Sequence, residues 1–464
     1  MAGIGFRLTK YFEHDNLLGN IKGTIYSIII STGPWLISVL SVAFVSYFAQ
    51  RQLDNHDLYV LKAMICYTYA GSLIIFGAVE MPVTRYLADK LYISDLTTFR
   101  NVFLTILCGF VMVGSLVSGV FYSFFDYDII LKLIAMGFFI SVLTIWLNMI
   151  FLSAAKNYHQ IVISFFIGGI LSIVGALILG NYYELVGYIL GYTLGQLAIA
   201  LLLTRNLFAE FRDFDYVSLE FVSYFKKYKT MVFVGLFYYL GIWVDKFIFW
   251  FGGVGEKVES LFYTNQYYDT AMFLAYLTIV PSFAVFLVQV ETNFYVKYAY
   301  YFRSIESKNN LKFLNNSVNE IIGALKSTTI SLLKIQTFVT VIVWYFAEQI
   351  LTFLHLPSMM ETMFKYGVIG AYLQILFLVL NIVLLYFKQA KQAMMNYGIF
   401  FVLNAGLSFL TLKAGIQFYG MGYLISCLIT LIISFIALNH TLGNLNYLTF
   451  MTQPLSRKNF GEEL

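Results

Sequence analysis

Charge is scarce in this chain. Only 12% of its 464 residues are charged and 60% are hydrophobic, whereas a soluble domain carries about 25% charged residues. With a mean hydropathy of +0.76, this excludes a soluble domain on a single anchor and indicates an all-α polytopic membrane protein. Cysteine is scarcer still: Cys66, Cys108 and Cys427 all fall in apolar stretches, which excludes a disulfide framework and any Cys-x-x-Cys site. Histidines stand at positions 14, 56, 159, 355 and 440, too scattered for metal-ligand spacing. No phosphate-binding Gly-x-x-x-x-Gly-Lys-Ser/Thr loop, Gly-x-Ser-x-Gly elbow or His-Glu-x-x-His pair occurs, and Gly252-Gly253-Val254-Gly255 follows no strand. The expectation is therefore no metal, no cofactor and no catalytic centre. The net charge of +4 is dispersed and forms no basic stripe, so nucleic acid is not an expected partner. No small-residue cleavage site precedes the first apolar run, so no cleavable signal peptide is expected.

What the chain has is long apolar runs, at about 24–49, 62–84, 101–125, 130–153, 160–181, 184–204, 230–251, 270–296, 328–353, 366–387, 393–413 and 417–439. Each is about 20 residues or more, enough to cross a hydrocarbon core of about 30 Å as a helix. The loops between them alternate between rich and poor in Lys and Arg. The termini and the loops on their side hold 22 of the 29 basic residues, the opposite loops hold six, and Lys246 lies inside a run. Positive charge stays inside, so both termini are expected in the cytoplasm. One missed helix would invert half of the loops and destroy this bias.

The runs divide evenly. Residues 1–23 form a cytoplasmic amphipathic segment, with Ile4, Leu8, Tyr11 and Phe12 set against Arg7 and Lys10. Residues 24–204 form a lobe of six helices, 205–229 a basic cytoplasmic linker, 230–440 a second lobe of six, and 441–464 a tail. Within the second lobe, residues 297–327 place Leu311, Leu314, Val318, Ile321, Ile322 and Leu325 at helical spacing. The pattern predicts an amphipathic helix lying on the inner membrane surface. A weak repeat relates the halves. Glu80 and Glu291 are offset by 211, Arg85 and Lys297 by 212, and Trp35 and Trp243 by 208. Six runs separate each pair, so the halves share one orientation, as in transporters built from parallel repeats. The fold expected is twelve transmembrane helices in two six-helix lobes around a central cavity.

Charge inside a membrane span needs a partner or water. Glu80, Asp245, Lys246 and Glu291 are the candidates. Asp245 and Lys246 are adjacent, about 100° apart on a helix, and are expected to find partners on other helices and not each other. Arg85 and Lys297 are the expected neighbours of the two glutamates. One reading makes these groups line a cavity that meets substrate or a coupling cation; the other is pairing between helices. The first span carries a hydroxyl stripe, Thr24, Ser27, Ser31, Pro34, Ser38 and Ser41, which suits either a path or close helix contact. Gln374, Asn381 and Lys388 recur at sevens along the tenth span. Gly187, Gly191 and Gly195 form a ridge of small residues read as packing. Pro34, Pro82 and Pro281 are expected to break or kink their helices, which only neighbouring groups or water can tolerate. Aromatics make up 19%, with 36 Tyr and 46 Phe. They suit interfacial belts, and Tyr also offers sugar rings an apolar face beside a hydroxyl.

Two stretches carry a resemblance: Met1-Ala-Gly-Ile-Gly-Phe6-Arg-Leu-Thr-Lys10 and Ser31-Thr-Gly-Pro-Trp35. With the length and topology, they resemble the PelG family of Pel exopolysaccharide transporters, within the multidrug/oligosaccharidyl-lipid/polysaccharide flippase superfamily. The resemblance implies two lobes that open alternately to each side and a nascent, N-acetylhexosamine-rich polysaccharide as substrate. It also implies as partners a cytoplasmic, UDP-sugar-using Pel glycosyltransferase and small Pel membrane proteins. It supplies no site residues, and the chain shows no signature of the ion sites of the superfamily's drug/cation antiporters. A cation-coupled multidrug or small-solute antiporter is the alternative. A membrane-embedded glycan polymerase or acyltransferase is less well supported, because the outer loops are short and the spans hold almost no histidine.

Overall fold

The computed structural model describes residues 17–93, 95–155, 157–212 and 220–451, and of residues 17–31, 291 and 292 it describes the backbone alone. Most of the amphipathic N-terminal segment, Lys156 and the tail beyond residue 451 lie outside the described residues.

The first half contains α1 (Leu17–Ala49), α2 (Asn55–Tyr92), α3 (Phe99–Ser123), α4 (Ile129–Ala154) and α5 (Tyr158–Glu210). At 53 residues, α5 would be about 80 Å long if straight, more than twice the apolar core. It is not straight. Tyr183 and Glu184 leave helical geometry, with Glu184 at φ 49°, and the two limbs fold back on each other. The glycine ridge makes the fold-back close: a Cβ at Gly175 would sit 3.1 Å from the Gly191 carbonyl oxygen. Eleven helical segments among the described residues are long and apolar enough to cross a membrane. With α5 crossing twice, the crossings are the twelve expected.

A short helix, α6 (Glu220–Lys227), leads into the second half. There follow α7 (Lys229–Phe251), a hairpin of β1 (Glu256–Glu259) and β2 (Phe262–Thr264), α8 (Gln266–Leu277), α9 (Val280–Gln289), a π-turn (Val290–Phe294) and α10 (Tyr295–Glu306). Then come α11 (Leu311–Tyr345), α12 (Ala347–Phe353), α13 (Glu361–Tyr386), α14 (Ala390–Ala414), α15 (Met421–Gly443) and α16 (Leu445–Met451). Helices pack mainly within their own half: α5 on α1 and α4, α2 on α4, α7 on α14, α13 on α15. Each half has its own buried clusters. One gathers Phe99, Phe103, Phe151 and Leu203, and another Phe249, Tyr268, Met363 and Phe400.

Three expectations change. The proline sites differ: Pro34 and Pro82 lie inside continuous helices, whereas the eighth run breaks at Thr278 and Ile279, just before Pro281 opens α9. Proline lacks the N–H that would continue the ladder to the Leu277 carbonyl, and at the break the Ala275 carbonyl accepts both the Thr278 backbone N–H at 3.1 Å and its hydroxyl at 2.7 Å. Secondly, the amphipathic stretch does not form a separate surface-lying helix. It continues without interruption into the ninth span as α11, and Leu314, Val318, Ile321 and Leu325 pack against Phe294, Tyr301, Leu384 and Leu438. Four of the six apolar positions on this face are thus covered by protein, whereas Leu311 and Ile322 remain exposed. Thirdly, the segment between the seventh and eighth spans is a β-hairpin and not a plain loop.

The halves touch along two lines, α2 against α7 and α1 against α9. On the first, Gly77 and Gly235 meet backbone to backbone. A Cβ at Gly77 would lie 2.8 Å from the Gly235 carbonyl oxygen, and one at Gly235 would strike the Gly77 carbonyl.

Candidate functional site

Two charges near the end of α7 are hidden from solvent: Asp245 is 0% and Lys246 7% exposed. They pair with each other, contrary to the expectation drawn from their 100° separation. The lysine stem runs back along the helix until its ammonium donates to the Ile242 carbonyl at 2.9 Å. There it also meets both carboxylate oxygens of Asp245, at 3.1 Å each. Cβ directions misled because four methylenes separate a lysine's charge from its backbone. The pair also has partners on a second helix. The Tyr268 hydroxyl of α8 donates to Asp245 Oδ2 at 2.7 Å, and the ammonium lies 3.4 Å from the Tyr276 hydroxyl. The Tyr276 and Tyr423 rings flank the ammonium at 4.9 and 5.8 Å, within cation–π range. A buried charge this well partnered is tolerated, whereas either member alone would be costly.

The cluster extends to the first half. Asp269, the residue after Tyr268 on α8, accepts from Trp250 Nε1 at 2.8 Å and from the Asn265 backbone N–H at 3.3 Å. Tyr67 of α2 stacks on Trp250 with 4.6 Å between centroids, and its hydroxyl donates to the Tyr263 carbonyl of the hairpin at 2.9 Å. The hairpin clasps the first half. Phe262, fully buried, packs among Phe121, Tyr122 and Phe125. The Ser260 hydroxyl donates to the Phe124 carbonyl and the Tyr127 hydroxyl to Glu259 Oε2, both at 2.6 Å. Burial, and then the adjacent Glu259 carboxylate, push the Tyr127 hydroxyl up. By the count of crossings this hairpin lies on the side opposite the termini. The seam is thus latched there and in backbone contact at Gly77.

The sequence model of a family, PelG, described as "Putative exopolysaccharide Exporter (EPS-E)", matches residues 1–450. The chain belongs to the PelG family. A search of curated proteins gives no match. Among solved structures, an outward-facing multidrug resistance MATE transporter of the MOP superfamily has a TM-score of 0.64 at 13% identity, over 96% of this chain and 100% of that one. A MOP superfamily transporter from Pyrococcus furiosus, described as having a binding pocket of reversed polarity, has a TM-score of 0.63 at 13% identity, over 90% and 96%. An inward-facing MATE transporter has 0.59 at 13% identity, over 89% and 96%. At such identity the likeness establishes the fold. This PelG-family member is a multi-pass membrane protein with the twelve-helix fold of MOP superfamily transporters.

The other candidate residues divide into those near the ion pair and those apart from it. Gln374 belongs to its surroundings: its side-chain oxygen accepts from the Tyr423 hydroxyl, and Tyr238 reaches the same amide. Glu80 stands at the seam and accepts from the Tyr239 hydroxyl of α7 at 3.0 Å. Arg85 is not its partner; it pairs with Asp89 one turn further on, at 2.9 Å. Lys297 pairs with Glu320 of α11 at 2.9 Å. Glu291 stands in the π-turn, and its side chain, like that of Ser31, lies outside the described residues. Ser38 donates to the Pro34 carbonyl at 3.0 Å. Asn381 belongs to a separate buried set, donating to Ser434 at 2.9 Å and accepting from Asn396 at 2.8 Å.

Sequence reasoning missed Asp269, Trp250 and the tyrosines at 67, 268, 276 and 423. Asp269 was visible as a charge one residue before the eighth apolar run, but the boundary placed it in a loop. The tyrosines carried no signal that separated them from the belt residues.

Proposed function

We propose that this chain exports a nascent, N-acetylhexosamine-rich exopolysaccharide across the inner or plasma membrane by alternating access, and that it is not itself an enzyme. The observation that carries this reading is the family match, which runs over nearly the whole chain to a family described as an exopolysaccharide exporter. The seam supports it. The hairpin latch and the Gly77–Gly235 contact join the halves across the seam: Phe262 crosses from the second half into a buried cluster of the first, and the two glycines meet backbone to backbone, so release of these contacts would part the lobes. Asp245, Lys246 and Gln374 form a buried polar cluster among tyrosines, and Glu80 stands at the seam beside Tyr239. Glu291, Arg85, Ser31, Ser38 and Asn381 remain outer candidates. Tyr, Asn, Gln and Ser side chains near the seam, with Asp245 paired to Lys246, suit a neutral or weakly cationic glycan. The loop charge bias puts both termini in the cytoplasm, facing a UDP-sugar-using Pel glycosyltransferase and small Pel membrane proteins as partners.

Deletion of the chain tests this. Loss of surface polymer, with polymer trapped inside or its synthesis stopped, is expected. Normal surface polymer in the deletion strain would overturn the reading. Proton- or sodium-driven efflux of small cations from proteoliposomes, without a glycan phenotype, would replace it with the antiporter alternative.

A further inference from the structure

The donors around the Lys246 ammonium are those that would hold a monovalent cation in an apolar setting. They are two carboxylate oxygens of Asp245, the Ile242 carbonyl, the Tyr276 hydroxyl and two tyrosine faces. An ammonium has three N–H donors, and here each finds an acceptor. No place is left for a second cation, and at 7% exposure the group is not displayed towards a path. We propose that Lys246 is a covalently tethered counter-cation. It keeps Asp245 neutralised throughout the cycle, so the second half takes up no sodium or lithium ion at this point. The proposal rests on reading the chain as a transporter, and it assigns the role of an ion from solution to a side chain of the protein itself.

Removing the ammonium while keeping a stem of nearly the same shape, as in Lys246→Met, leaves the Asp245 carboxylate buried among donors aimed at an ammonium-sized gap. Such a site should acquire the affinity for a small cation that the native protein lacks. The test is thermal unfolding of the purified full chain in choline, sodium, lithium and potassium chloride at equal ionic strength. The wild-type protein should unfold at the same temperature in all four salts. Lys246→Met should unfold lower in choline, by about 3 °C or more, and be restored saturably and selectively by sodium or lithium. The double variant Asp245→Asn/Lys246→Met, which leaves no buried charge at the pair, should lose the salt response.

A saturable sodium or lithium shift in the wild-type protein would overturn the proposal, and that measurement needs no variant to fold. So would a folded Lys246→Met that behaves identically in all four salts. Neither result depends on what is transported, so failure here is distinct from a deletion strain that still secretes polymer.

Discussion

The two halves of the chain answer the same positions with different chemistry. At the offset of 208 that aligns Trp35 with Trp243, Asp245 and Lys246 correspond to Ile37 and Ser38, and Ile242 corresponds to Pro34. In the first half the Ser38 hydroxyl donates to the Pro34 carbonyl and meets Tyr69 of α2. In the second the Lys246 ammonium donates to the Ile242 carbonyl and meets Tyr276 of α8. The geometry repeats, but a hydroxyl has become an ammonium with an acid beside it. The path of the next helix differs as well. Pro281, aligned at an offset of 211 with Ala70, breaks the eighth span where α2 runs on. The first half is thus an apolar scaffold of long helices, while the second concentrates the buried charge, the interrupted helix and the latch. If the halves move against each other, the parts that change are in the second.

The most severe way to break this comparison is to remove the acid. Asp245→Ala leaves Lys246 buried without its counter-charge, which costs about 3–5 kcal/mol, whereas Ser38→Ala deletes a hydrogen bond worth about 1 kcal/mol. Thermal unfolding of the two purified variants should therefore show a large loss for the first and a small one for the second. Asp245→Asn, which keeps the shape, should lower secretion while leaving membrane insertion intact. Wild-type secretion by a well-folded Asp245→Ala protein would remove this residue from the path.

Next in size is the latch. Phe262 belongs to the second half by sequence but is buried in the first, and truncating a core phenylalanine costs about 3–5 kcal/mol. Part of that is regained here if the hairpin swings free, so Phe262→Ala should loosen the seam more than it unfolds either half. Hydrogen exchange should rise in 256–264 and around Tyr122, with the α4–α5 packing unchanged. Uniform exchange through both halves would show that Phe262 is ordinary core. The glycine contact should behave differently. Gly235→Ala forces a methyl against the Gly77 carbonyl, overpacking that costs about 1–3 kcal/mol. A cysteine cross-link across α2 and α7 should then form more slowly, whereas in Phe262→Ala it should not.

These outcomes bear on what could be read beforehand. The crossings were legible because an apolar layer about 30 Å thick imposes length and composition on whatever spans it. The same layer says nothing about where α11 goes after leaving it: a helix on the surface and one projecting from it share the 3.6-residue period, and only packing on Tyr301 and Leu438 distinguishes them. Asp245 and Lys246 were recognisable as charges in an apolar run, but their pairing depends on a flexible stem that helical angles ignore. Asp269 was lost to a boundary drawn one residue late. The hairpin, three or four residues to a strand, is held by Phe262 and Tyr263 against the other half, a long-range fact with no local period.

The smallest effect expected is at the other end of the seam, where Lys90 of α2 bonds both Asp95 and Glu220 of α6 at 3.0 Å. This ties the first half to the helix that leads into the second. The Thr97 hydroxyl, and then the Lys90 ammonium, hold the Asp95 carboxyl below its ordinary value of 3.8. A carboxyl lowered by folding binds its proton more readily in the opened chain. The stability it contributes is therefore complete above about pH 4 and is lost only as pH falls through its lower folded value. Exchange of the α6 amides should stay constant from neutral pH down to about 4, after correction for intrinsic rates, and then rise. Asp95→Asn should show a smaller rise, because the Lys90–Glu220 pair remains, and its baseline should be slightly higher, because a partly exposed ion pair contributes little. A rise beginning near neutral pH would mean that another group, and not Asp95, secures the linker to α2.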